Sequence, residues 1–184
     1  MTTDTDTLPA FARNTINLAS AGLGAKGVFA TDEFFAPLAR MLADEPAVFY
    51  PERFDDHGKW MDGWETRRRR EPGNDWIIVK LAARATVDRI VVDTAHFKGN
   101  YPDGCSLQVA DLAGANGDLE ALVTASSMFW EEILPEQKLS ADSVHEFNGN
   151  IVKGVGPVTH VRLNIFPDGG VSRLRVFGQI AGAQ

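Results

Sequence analysis

Val158-Thr159-His160-Val161-Arg162-Leu163-Asn164-Ile165-Phe166 alternates in polarity and then breaks at Pro167-Asp168-Gly169-Gly170. Side chains two apart lie on one face of a strand, so Val161, Leu163 and Ile165 belong to one side and His160, Arg162 and Asn164 to the other. Such alternation predicts a strand with one face in a core and one in water. Downstream, Leu174 and Val176 repeat the pattern against Arg173, Arg175 and Phe177. Upstream, the runs over 76–81 and 87–93 are rich in Ile and Val, and 106–111 alternates again. Pro102-Asp103-Gly104 is a second turn signal. Many short strands with Gly/Pro turns predict an all-β fold, a jelly-roll β-sandwich with one or two short helices.

The helical signal is short. Phe34, Phe35, Leu38, Met41 and Leu42 recur at helical spacing, with Thr31 and Asp32 placed to cap and Pro46 to stop the run. Val28-Phe29-Ala30 reads as a strand before it. Gly22-Leu23-Gly24-Ala25-Lys26-Gly27 matches a dinucleotide-binding pattern, but a strand follows where that site needs a helix, so it reads as a turn. Residues 112–128 carry little pattern, and 1–15 read as a loose arm before a single domain over 16–184.

With 184 residues, 44% hydrophobic and 23% charged, the chain has the composition of one globular domain. A net charge of −7 argues against nucleic acid or an anionic membrane as partner. One cysteine, Cys105, excludes an intrachain disulfide. No apolar run is long enough to span a bilayer, and 1–8 lack the features of a signal peptide, so a cytoplasmic location is expected. The four histidines show no metal-ligand spacing.

Chemistry concentrates in Lys59-Trp60-Met61-Asp62-Gly63-Trp64-Glu65-Thr66-Arg67-Arg68-Arg69-Arg70. Guanidinium forks suit a small carboxylate. In an extended chain alternate arginines would face opposite ways, one pair toward a ligand and one toward solvent or Glu71. The bland alternative is a solvated charge run beside two core tryptophans. His96 follows a strand end, where loops gather.

These stretches resemble the allantoicase family. The blocks that carry the likeness are Asn17 to Ser20, Ala30 to Ala36, Gly58 to Arg68, Asp75-Trp76, Asp93-Thr94, Phe97 to Pro102 and Thr159 to Gly170, within 16–178. The resemblance implies a galactose-binding or discoidin-like jelly roll and hydrolysis of allantoate to ureidoglycolate and urea in purine degradation. Typical members carry two such domains in tandem, whereas one is seen here.

Losing urea from allantoate needs a cation for the carboxylate, an acid, a base and hydrogen bonds to the ureido groups. On the implied chemistry, Arg67 and Arg68 bind the carboxylate. Asp62, Glu65, Asp32, Glu33 and His96 supply acid–base candidates, Asn100 and Asp168 hold ureido groups, and Trp64 offers a flat surface. No metal or other cofactor is assigned, although Asp32, Glu33 and Asp168 have the oxygen donors a divalent ion takes. A homo-oligomer, at least a dimer, is expected, with Phe129, Trp130 and Phe166 as contributors. Two alternatives stay open: a non-catalytic binding module of galactose-binding type, and a partner subunit of a longer enzyme.

Overall fold

A computed structural model describes residues 16–182; the expected N-terminal arm lies outside them. The chain forms β1 (Lys26–Ala30), α1 (Leu38–Met41), β2 (Phe54–Asp55), β3 (Gly58–Lys59), β4 (Trp64–Glu65), β5 (Asp75–Asp93), β6 (Gly104–Ala110), α2 (Leu119–Ser126), β7 (Glu131–Lys138), β8 (Val144–Phe147), β9 (Val158–Phe166), β10 (Gly170–Val171) and β11 (Arg173–Ile180). All pairings are antiparallel. Among the described residues no helix is long and apolar enough to cross a membrane.

The long strand β5 organises the jelly roll. Its first part, from Asp75 to Lys80, pairs with β1 and β9, and its second, from Ala85 to Asp93, pairs with β11 and β8. The β9 register shifts between Lys80 and Ala85, and such an irregularity lets one strand bend from one layer into the other. The two Ile/Val runs expected as separate strands are therefore one. Strands β9, β6 and β7 extend the first layer. Ile77, Val79, Leu163 and Ile165 share one buried core with Ile90, Val92, Leu174 and Val176, as their two-residue spacing requires.

The polar face of β9 corrects the sequence expectation. His160, Arg162 and Asn164 are buried rather than wet. The poorly patterned segment folds over them: α2 is capped by Asp118, and the following turn brings the Ser127 hydroxyl to accept from Arg162 Nη1 at 2.8 Å. Arg162 also donates to Asn164 Oδ1 at 2.8 Å and lies over the Trp76 ring, 3.9 Å from its centre. Hydrogen bonds and ring contact replace the water this face loses.

The first helix is shorter than its periodicity predicts. Ala36 and Glu65 exchange two backbone hydrogen bonds of 3.2 Å, which hold the chain extended before Pro37. Helix α1 starts at Leu38, whose N–H donates to Glu33 Oε1 at 2.7 Å, so Glu33 satisfies the exposed helix end in place of Thr31 or Asp32. Leu38, Met41 and Leu42 still enter the core as expected. The Gly22 to Gly27 stretch is a 3-10 turn over Ala21–Leu23, ended by Gly24, followed directly by the start of β1.

Candidate active site

Loops 31–37, 62–70, 94–103 and 166–170 meet at one end of the sandwich. Strand β4 pairs with β10, so Glu65 sits opposite Gly170. Gly170 N–H donates to Asn100 O at 2.8 Å. Gly169 has φ 131°, and a side chain there would place its Cβ 2.6 Å from that same carbonyl oxygen. A residue without a side chain is therefore what lets the 166–170 loop press Asn100 toward Glu65.

Glu65 is 8% exposed. Burial pushes its carboxyl up to about 6, with the Asp55 charge adding to the effect and the Asn100 hydrogen bond opposing it. Asn100 Nδ2 donates to Oε1 at 2.5 Å. A cavity of about 360 Å³ opens beside this pair, lined also by His96, Lys59, Lys98 and Phe35. His96 is held at φ 72°, and its backbone N–H donates to Asp142 Oδ1 at 2.7 Å. Its Nε2 lies 3.2 Å from Ala47 O. A carbonyl only accepts, so this partner assigns the ring hydrogen to Nε2 and leaves Nδ1 as the acceptor of the neutral ring. The site thus gathers an acid–base carboxyl, an imidazole, an amide and two ammonium groups.

A second cavity, of about 520 Å³, adjoins Asp32 and the arginine run. Asp32 Oδ2 accepts from Arg67 Nε at 2.7 Å, and Oδ1 accepts from the Phe34 and Arg67 backbone N–H groups. Burial raises the Asp32 pKa, but these hydrogen bonds and the Arg67 charge outweigh it and leave the carboxyl below its ordinary value. The arginines do alternate, although the segment is not a regular strand: Arg67 and Arg69 bind Asp32 and Asp75, and Arg68 and Arg70 do not.

Of the residues expected to share one site, the structure brings together Glu65, His96 and Asn100 around the first cavity. Asp32, Arg67 and Arg68 line the second. Four others have structural partners. Asp62 lies in a buried ion pair, accepting from Arg173 Nη1 at 3.1 Å and Nη2 at 2.8 Å and from Val48 N–H at 2.9 Å, which leaves its carboxylate engaged. Trp64 is fully buried in the core, and its Nε1–H donates to Asp32 O at 2.8 Å, so it offers no face to a ligand. Glu33 caps α1, and Asp168 Oδ2 accepts from Arg69 N–H at 2.9 Å. Asp32, Glu33 and Asp168 thus turn to separate partners, and no cluster of three or more metal-ligating side chains occurs among the described residues. Lys59 and Lys98 were missed as site residues, although both stand inside the blocks that carry the resemblance.

The allantoicase repeat model matches residues 16–181. The chain belongs to the allantoicase family. It is 50% identical over 165 residues to a probable allantoicase of Stutzerimonas stutzeri (strain A1501), covering 90% of this chain and 46% of that one. The allantoicase structure from Saccharomyces cerevisiae superposes with a TM-score of 0.69 at 31% identity, over 89% of this chain and 43% of that one. A striped bass fucolectin shares the jelly-roll fold alone, with a TM-score of 0.61 at 14% identity over 92% and 50% of the two chains. The chain thus spans about half the length of these two family relatives, consistent with one unit of a family defined by a repeat.

Proposed function

We propose that the chain hydrolyses allantoate to ureidoglycolate and urea at the Glu65 cavity. The observation that carries this reading is the buried Glu65 carboxyl, raised to about 6 and held through one oxygen by Asn100. At pH 7 roughly a tenth of such a group is protonated, so it can both give and take a proton.

In this scheme Lys59 or Lys98 meets the substrate carboxylate, the role the sequence reading assigned to Arg67 and Arg68. Protonated Glu65 donates to the departing ureido nitrogen. The lone pair of the remaining ureido nitrogen forms a C=N bond as the C–N bond to urea breaks. Glu65, now a carboxylate, takes a proton from water as its oxygen adds to the same carbon. As the C–O bond forms, the C=N electron pair returns to the ureido nitrogen and leaves it neutral, the proton from water restores the Glu65 acid, and ureidoglycolate results. His96 Nδ1 is placed to accept from water or from a ureido N–H. A cytoplasmic location and a homo-oligomer of at least two chains belong to this proposal; Phe129 is 81% exposed and Met128 60%, which supports a surface that a second copy covers.

The test is urea release from allantoate by the purified chain. Release abolished by Glu65→Gln and retained in Asp168→Asn supports the assignment. A folded chain that releases no urea, alone or with its oligomer intact, overturns it.

A further inference from the structure

Thr94 to Phe97 form a turn, closed by Phe97 N–H donating to Thr94 O at 2.9 Å. His96 stands third in this turn, at φ 72°. That place at positive φ favours glycine or asparagine, because a Cβ crowds the backbone there. A histidine adds nothing to the turn itself. What its side chain gains is position: the residue lines the Glu65 cavity, Nε2 lies 3.2 Å from Ala47 O, and the Phe49 ring stacks on the imidazole with centres 5.7 Å apart.

The unfavourable backbone is held by a distant loop. Among the described residues, His96 and Asp142 are the two non-glycine residues at positive φ, and they bind each other. Asp142, at φ 47°, accepts the His96 N–H on Oδ1 at 2.7 Å, and its own N–H donates to Phe97 O at 3.1 Å. Beside them, Thr94 N–H donates to Ser143 O at 2.9 Å, and Thr94 Oγ1 accepts from Ser143 N–H at 3.1 Å. The other end of the loop is pinned by His145, whose Nε2 accepts from Ser140 N–H at 2.9 Å while Nδ1 meets Val92 O at 2.9 Å. Asp142 is exposed, so these two bonds serve the turn that carries His96 and not the core.

We propose that Asp142 is a positioning residue for His96. Its carboxylate holds the His96 backbone in the left-handed turn and so keeps the imidazole at the cavity, with its Nε2–H on Ala47 O. The inference rests on the reaction proposed at Glu65, in which His96 accepts a hydrogen bond from water or a ureido N–H. Asp142 itself touches no reacting atom. Without its oxygen the turn is free to leave φ 72° and the ring to leave Ala47 O. A misplacement of about 1 Å at a reacting group costs about a hundredfold in rate.

Two variants separate the carboxylate from the backbone it sits on. Asp142→Gly tolerates φ 47° but lacks the oxygen, and Asp142→Asn keeps an oxygen acceptor and also suits that conformation. Both are assayed where thermal melts show them folded. Asp142→Gly should lower kcat for urea release roughly tenfold to a hundredfold with KM within about twofold, and Asp142→Asn should stay within about threefold of wild type. Nitrogen–proton correlation spectra of the histidine rings, taken without substrate, give a second readout, with the His96 signal identified by its loss in His96→Gln. Wild type and Asp142→Asn should show one ring form, protonated at Nε2, and Asp142→Gly a mixture. Unchanged kcat in Asp142→Gly, a rise in KM with kcat kept, or an equal loss in Asp142→Asn overturns the positioning role. A wild-type chain that releases no urea overturns the Glu65 reading instead. The ring spectra then decide on Asp142 alone, and the same ring form in wild type and Asp142→Gly overturns its hold on His96.

Discussion

Asn100 Nδ2 donates to Glu65 Oε1 across 35 residues of sequence, and both residues line the same cavity. The bond favours the ionised form, yet burial outweighs it and sets the carboxyl at about 6. The same balance that keeps a proton within reach at neutral pH also costs stability there.

Glu65→Gln should therefore stabilise the fold while removing activity. The folded pKa lies above the ordinary 4.5, so the native state binds more protons than the unfolded state between these values. Wild-type stability then falls as pH rises from about 4.5 through 6, by about 2 kcal/mol in all. Denaturant titration should find the variant more stable by up to about that amount at pH 8 and equal to wild type at pH 4. A variant less stable at pH 8 would mean that the charge is better solvated than its burial implies.

Asp62→Ala should destabilise strongly. It strands Arg173, 2% exposed, whose guanidinium also donates to Glu45 O at 2.8 Å and Ser172 O at 2.7 Å. Breaking one side of a buried pair costs about 3–5 kcal/mol. Chemical denaturation should show that loss; a change below about 1 kcal/mol would mean that solvent reaches Arg173.

Gly169→Ala should lower kcat more than it raises KM. Its Cβ would approach Asn100 O at 2.6 Å in a backbone region that side chains rarely adopt. The displaced Asn100 would release Glu65, shifting the pH–rate profile as well as costing about 1–3 kcal/mol of stability. An unchanged profile would separate this loop from the Glu65 carboxyl.

Asp32→Asn should lose stability only where the wild-type carboxylate is ionised. The Asp32 pKa is held below 3.8, so its contribution is present above about pH 4 and disappears as pH falls through the folded value. Thermal melts should find the variant less stable at pH 7, with the gap to wild type closing as pH falls below the folded value. A constant difference across that range would assign the loss to packing.

Phe129→Ser should shift the oligomer toward monomer in light scattering at micromolar concentration. Phe129 is 81% exposed, so the monomer itself should lose less than about 0.5 kcal/mol. A wild-type mass of one chain at full activity would remove the oligomer from the functional scheme.

Local pattern made the strands legible. Val161, Leu163 and Ile165 had to face one way because their spacing is two, and that spacing is a property of the extended backbone. The turn at 167–170 was equally plain from Pro, Asp and Gly. The identity of the acid–base residues was only partly legible, because Glu65, Asp62 and Asp32 look alike as residue types. Their surroundings separate them: Asp62 meets Arg173 from 111 residues away, Asp32 meets Arg67, and Glu65 meets only an amide. Period two could not reveal that 112–130 would cover the polar face of β9, since coverage comes from another segment of the chain. Burial, pairing and the division of Glu65 and the arginines between two cavities arise from contacts between distant segments, which no local spacing encodes; the sequence alone determined the alternation, the turns and the family to which they belong.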